Sequence, residues 1–218
     1  MFQPVLIKLK DQSLWLSPGR CLYWEEAQSL VLSDLHFGKT GHFRKSGIAI
    51  PQNVFKEDLQ RLVQQIQFFK PERLIIVGDF THSHNNAELE LFVKWRKDMG
   101  HTAIRLIRGN HDILSADWYR ETGIEVIEQQ LLQPPFCFVH DPQDNAGTIS
   151  EWFTFSGHLH PGVHLSGLGK QSLSFPCFHF SASQALLPAF SCFTGYKMVN
   201  KKKKDRIFAI VNKSLVEV

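Results

Sequence analysis

The sequence predicts an α/β fold, a parallel sheet with helices on its faces and a second sheet stacked upon it. Three observations carry this reading. Between residues 30 and 107, short apolar runs alternate with stretches of helical period, the pattern of βαβ units. Each of those runs ends in a polar cluster. After Asp117 the helical signal fades and short strand-like runs return. No linker divides the chain, so residues 1–218 are expected to form one layered domain, a length that suits a single sizeable core.

The chain opens as a meander of short strands, Val5–Leu9, Leu14–Leu16, Cys21–Trp24 and Leu30–Ser33, with Ser17-Pro18-Gly19 supplying a turn. Pro51 begins a helix in which Phe55, Leu59, Leu62, Val63, Ile66 and Phe69 share one face, and Pro71 lies beyond its end. Leu74–Val77 reads as a buried strand. A helix from about Asn86 to Met99 follows, carrying Leu89, Phe92, Val93 and Trp95, and then the strand Ala103–Ile107. Later strands are expected at Ile124–Ile127, Phe136–His140, Trp152–Ser156, Val163–Ser166, Cys177–Phe180, Gln184–Leu187, Ile207–Val211 and Leu215–Val218. Eighteen phenylalanines point to a core of large aromatic side chains.

Composition excludes little else. The net charge of +3 permits an anionic substrate without itself arguing for nucleic acid. Cys21, Cys137, Cys177 and Cys192 lack C-x-x-C spacing and are expected as free thiols. The start at Met1-Phe2-Gln3-Pro4 shows no secretory pattern, and no apolar run approaches the roughly 20 residues of a membrane span. A cytoplasmic protein with no membrane partner is therefore expected. Lys201–Lys204 lies between apolar strand candidates and reads as a solvated turn rather than a nucleic-acid patch.

The chemistry gathers at strand ends. Leu30–Ser33 runs into Asp34-Leu35-His36, which offers a carboxylate and an imidazole to one point in space. Gly78-Asp79, Gly109-Asn110-His111-Asp112, His140 and Gly157-His158-Leu159-His160 each follow a predicted strand in turn. In open α/β sheets the carboxyl ends of strands share one edge, so these distant clusters can converge. Leaving out His111 and Asp112, they supply two Asp, one Asn and four His, enough for two metal ions if one carboxylate bridges them. Two ions roughly 3.5–4 Å apart can hold the attacking and leaving oxygens of an in-line phosphoryl displacement, with a bridging hydroxide as nucleophile. Mixed oxygen and nitrogen donors favour Mn, with Fe and Zn as alternatives. Lys39, His42, Arg44 and Lys45 form a basic loop that either holds substrate phosphates or is simply solvated. His82, His84, His101, His164 and His179 occupy no motif position; His82 and His84, just past Asp79, default to loop surface unless they touch the site.

The ordered set D-x-H, G-D, G-N-H-D, H and G-H-x-H, from Asp34 to His160, resembles the calcineurin-like metallophosphoesterase superfamily. Within it the chain is similar to the bacterial ligase-associated DNA-damage-response metallophosphoesterases (the PdeM type). That closer likeness lies in Ser33–Lys39, Phe43–Ile48, Gly157–Pro161, Leu187–Phe190 and Phe193–Gly195, while Ser191 and Tyr196 stand where glycines are expected. The resemblance implies a four-layer α/β/β/α sandwich of two stacked mixed sheets. It implies a first divalent metal on Asp34, His36 and His160, Asp79 bridging, and a second metal on Asn110, His140 and His158. His111 would be the general acid or electrostatic stabiliser near the leaving oxygen, oriented by Asp112, with Lys39, Arg44 and Lys45 toward substrate. The implied activity is phosphodiester hydrolysis, with DNA as substrate and a DNA ligase or helicase as partner. A phosphomonoesterase or nucleotide hydrolase is the alternative on the same site, and a non-catalytic scaffold a further one.

Overall fold

A computed structural model describes residues 3–39, 53–82, 87–98, 102–144, 151–166 and 172–218. Its first sheet runs in chain order, β1 (Val5–Leu9), β2 (Gln12–Ser17), β3 (Cys21–Trp24), β4 (Ser29–Leu32), β5 (Arg73–Val77), β6 (Ala103–Ile107) and β7 (Ile124–Ile127). The tight turns between the first four strands make them antiparallel, whereas β4 to β7 are parallel. Parallel neighbours need a crossover, and α1 (Asn53–Phe69), α2 (Ala87–Asp98) and α3 (Ala116–Glu121) lie in the three connections.

A second sheet contains β8 (Gln130–Gln133), β9 (Phe136–Val139), β10 (Phe153–Ser156), β11 (Pro161–Ser166), β12 (Ser172–Phe180), β13 (Gln184–Leu186), β14 (Lys197–Met198), β15 (Arg206–Val211) and β16 (Ser214–Glu217). Its order is β14-β11-β12-β13-β10-β9-β8, with β15 pairing β12 and β16. The long β12 changes partners along its length. Ser172–Pro176 face β11, and Cys177–Phe180 face β15.

Alternation along the strands sorts the core into two layers. Leu14, Leu16, Val31, Ile75 and Val77 point from the first sheet into an aromatic interior made by Phe136, Phe138, Phe153, Phe155, Phe178 and Phe208 of the second. Their neighbours Leu30, Leu32, Leu74, Ile76 and Leu106 point the other way, onto Phe55 and Leu62 of α1, Leu89 and Phe92 of α2, and Tyr119 of α3. The two stacked mixed sheets are those expected from the sequence. Helical cover is described on the first sheet's outer side. Among the described residues the later chain adds only a single 3-10 turn, Pro142–Asp144, and no α-helix for a fourth layer.

Departures from the sequence reading are local. The helix α3 was not expected. It is only six residues long, too short to show a period, and is started by Ser115, whose hydroxyl accepts from the Trp118 amide at 3.3 Å. Ile124–Ile127 joins the first sheet instead of the second. The strand β8 carries glutamine at both ends, and β14 has two residues, so neither shows an apolar pattern. Lys201–Lys204 are exposed in a turn closed by the Lys202 amide donating to Asp205 at 3.1 Å. The four cysteines are free. Burial pushes the thiols of Cys21 and Cys177 up to about 12 and that of Cys137 to about 11. Among the described residues no helix is long and apolar enough to cross a membrane.

Candidate metal centre

Strand register sets the stage. Leu32 is level with Ile76, and Ile76 with Leu106, so the clusters after β4, β5 and β6 leave from one edge. Pairing continues past the strand ends. The amides of Asp34, His36 and Phe37 donate to the carbonyls of Gly78, Asp79 and Phe80 at 3.1, 2.9 and 2.9 Å. From the second sheet, the Gly157 amide donates to the His140 carbonyl at 3.1 Å, which aligns the ends of β9 and β10. The His158 amide reaches both Asp34 carboxylate oxygens at 3.2 and 3.1 Å, joining the two edges.

The expected donors form two compact groups. Asp34, His36 and His160 make one, Asp79, His140 and His158 the other, and the ligand atoms within each lie within 4.8 Å of one another. In the first, Nε2 of His36 and Nε2 of His160 are 3.4 Å apart, and His160 Nε2 is 3.4 Å from Asp34 Oδ1. In the second, His140 Nε2 lies 3.2 Å from His158 Nδ1, 3.1 Å from Asn110 Oδ1 and 3.5 Å from Asp79 Oδ1. His140 Nδ1 faces the Val77 carbonyl at 3.4 Å. Because a carbonyl only accepts, the proton belongs on Nδ1, and the Nε2 lone pair points at Asp79, Asn110 and His158.

That donor chemistry fits divalent cations. Lone pairs from imidazole, amide and carboxylate face one another with too few protons to pair them, which a cation would satisfy. Burial holds the His36 imidazole neutral, far below its ordinary range, and the nearby Lys39 charge adds to the effect. A neutral imidazole is the metal-binding form. Burial raises the Asp79 carboxyl, with repulsion from Asp34 in the same sense and attraction to His140 opposed.

The backbone around these donors is strained. Asp34, His36, Asp79, His158 and His160 all adopt left-handed conformations, with φ of 53, 51, 47, 62 and 46°. Such conformations cost about 1–3 kcal/mol each and persist where the surroundings over-determine them. Gly78 shares this geometry at φ 78°, and a Cβ there would lie 1.9 Å from His140 Nδ1. Only glycine lets the second imidazole approach so closely.

His111 and Asp112 behave differently from each other. The His111 amide donates to Asp79 Oδ1 at 2.9 Å, which sets its half-buried ring beside the centre. Asp112 does not orient that ring. Its carboxylate accepts from the Thr81 amide at 2.9 Å and the Gly109 amide at 2.9 Å, tying the end of β5 to that of β6. Burial raises this carboxyl to about 6. The His111 ring is met by His82, whose centroid is 4.2 Å away at a tilt of 34°, and edge-on by His36 at 5.6 Å. The sequence leaves His82 as loop surface or a contact to the site, its signal a place three residues after Asp79, and the structure puts it against the site. Asp141 was missed, and its Oδ2 lies 3.6 Å from His158 Nε2. Of the basic loop, Lys39 is half-buried and feels both carboxylates. Burial lowers its ammonium pKa, and Asp79 and Asp34 oppose that shift. His42, Arg44, Lys45, His84 and His101 lie outside the described residues.

A layered sandwich with two adjoining acid–histidine groups at one sheet edge defines a candidate metal-dependent hydrolase. Residues 28–213 match the calcineurin-like phosphoesterase family, and the chain belongs to that family. Among solved structures, it is similar to the Pseudomonas putida nuclease MPE, with 29% identity, a TM-score of 0.83 and both chains covered over 100% of their length. Yfce, a phosphoesterase from E. coli, is 15% identical with a TM-score of 0.49, over 87% of this chain and 97% of that one. No curated protein matches the chain.

Proposed function

We propose that the protein is a metal-dependent phosphodiesterase that cuts DNA. The observation that carries this reading is the meeting of the two donor groups at one edge, in a chain similar end to end to a nuclease. Asp34, His36 and His160 would hold one divalent cation and Asn110, His140 and His158 another, with Asp79 between them. Mn suits this donor set, with Fe or Zn the alternatives. Two bound cations supply Lewis-acid neutralisation at the phosphoryl group and acidify water. The His111 imidazole would hydrogen-bond or protonate the leaving oxygen, and the Lys39 ammonium would balance charge on the bound phosphate.

A role in DNA repair beside a ligase or helicase belongs to the same proposal. It rests on the likeness of Ser33–Lys39, Gly157–Pro161 and Leu187–Phe190 to the ligase-associated type.

The test is hydrolysis by metal-free, Mn-reconstituted protein of a chromogenic phosphodiester, the matching monoester and labelled DNA. Diester and DNA cleavage without monoester turnover is expected. Monoester turnover with intact DNA would move the function to a phosphatase. Asp79→Asn and His111→Ala should each lower diester turnover at least a hundredfold with an unchanged circular-dichroism spectrum.

A further inference from the structure

One pocket that the proposed chemistry does not use has none of the metal donors in its walls. Its volume is about 740 Å³, and Arg20, Arg61, Phe175, Cys192, Tyr196 and Lys213 are among its walls. Its charged lining is Arg20, Arg61, Lys213 and Glu57. Arg61 is paired with Asp58 at 2.7 Å, Arg20 donates to the Ala189 and Ser191 carbonyls at 3.3 and 2.7 Å, and Lys213 lies exposed. Two half-buried aromatic rings, Phe175 and Tyr196, stand among those cations.

The fold places this pocket on the edge that carries the donors. Ser17 is level with Cys21, and Leu22 with Val31, so the turn bearing Arg20 sits at the end of the first sheet where Asp34 emerges. In the second sheet Pro176 is level with Gly162, which puts Phe175 near the start of β11, just after His160. The connecting wall is pinned at both ends to the first donor group. The Ser191 amide donates to the Asp34 carbonyl at 3.1 Å, one residue before Cys192, and the Lys197 amide donates to the His160 carbonyl at 3.0 Å, one residue after Tyr196. Tyr196 packs on Gly162, where a Cβ would come within 2.6 Å of its own Cβ.

Cations for a phosphate backbone and rings for base stacking are the means by which proteins hold single strands without reading sequence. A volume of this size accepts a nucleotide-sized group. We infer that this pocket binds the stretch of single-stranded polynucleotide flanking the scissile phosphate, with a base against Tyr196 and Phe175 and the backbone beside Arg20 and Lys213. The inference rests on the nuclease reading. It makes the enzyme selective for polymer over small esters, because a small diester cannot reach from the metal groups to the pocket.

Two measurements test it on the whole chain. In the first, the KM for a labelled oligothymidylate should rise about tenfold in Tyr196→Ala, the loss of one stacked base, and recover in Tyr196→Phe. Lys213→Glu should lower the slope of log affinity against log salt by about 0.7, one phosphate contact on a single strand. Turnover of the chromogenic diester should stay at the wild-type rate in all three variants. In the second, binding to metal-free protein is read by alkylation of Cys192, the exposed thiol beside three buried ones. Bound oligothymidylate or oligouridylate should slow that alkylation, and comparing the two separates DNA from RNA as the occupant. Unchanged KM in Tyr196→Ala together with unprotected Cys192 would overturn the pocket. Failure of the wild type to cut any polynucleotide would instead overturn the nuclease reading, and Cys192 protection would then decide the pocket alone.

Discussion

The His82 ring lies tilted against His111 at 4.2 Å and meets His36 edge-on at 5.2 Å, so one side chain braces both the proposed acid and a donor. Aromatic pairs of this kind contribute about 0.5–1.5 kcal/mol, enough to bias one ring orientation over others. If His82 acts by holding His111, shape matters and ring nitrogens do not. His82→Ala should lower kcat about tenfold with KM within twofold, and His82→Phe should restore most of it. Rescue by His82→Asn instead of His82→Phe would show that a hydrogen bond to substrate is the operative contact. The strained φ values of the five donors make the same point from the backbone. Conformations of this cost are kept where neighbouring strands hold them, and here β4, β5 and β10 end together.

At the scale of elements, the turn before β15 is governed by Asp205. Its Oδ2 lies 2.8 Å from His179 Nε2 and accepts from the Lys202 amide at 3.1 Å. Burial pushes this carboxyl up, but the hydrogen bonds from His179 and Lys202 outweigh it, and the pKa ends below its ordinary value. A depressed carboxyl contributes stability that is present above the unfolded pKa of about 4 and is lost as pH falls through the lower folded value. Asp205→Asn should lower the Tm at pH 7 by about 2–6 °C, and the two melting curves should converge below about pH 4. Elements of strong pattern were readable in advance. Val5–Leu9, Cys21–Trp24, Ala103–Ile107 and Ile124–Ile127 have the bounds their apolar runs suggest, and α1 follows the stripe from Phe55 to Phe69. The donors were legible for a related reason, since each follows a buried run whose end is unmistakable. What escaped was set by tertiary contact. Asp112 reaches the Thr81 and Gly109 amides and the Thr81 hydroxyl instead of His111, His82 meets His111 through the loops after β5 and β6, and the sheet joined by β7 depends on its partner β6.

For the molecule as a whole, the aromatic interior lies between the same two sheets that supply the two donor groups. Cations that bind the folded state and not the unfolded chain raise stability by mass action, by about 2.7 kcal/mol at a hundredfold excess over Kd. Calorimetry of chelated protein should therefore show a Tm that rises with added Mn and saturates at two ions per chain. In Asp79→Ala both the stoichiometry and the shift should shrink. A Tm indifferent to Mn, Fe and Zn would count against both groups as metal sites.

Each group takes donors from both sheets. Asp34 and His36 face His160, and Asp79 faces His140 and His158. The ions would thus rivet together parts of the chain separated by 126 residues in the case of Asp34 and His160. Neither half holds a usable site. A protein cut between β7 and β8 would leave Asp34, His36, Asp79 and Asn110 on one fragment and His140, His158 and His160 on the other. Phosphodiester turnover from mixed fragments, with none from either alone, would then be a direct reporter of their reunion.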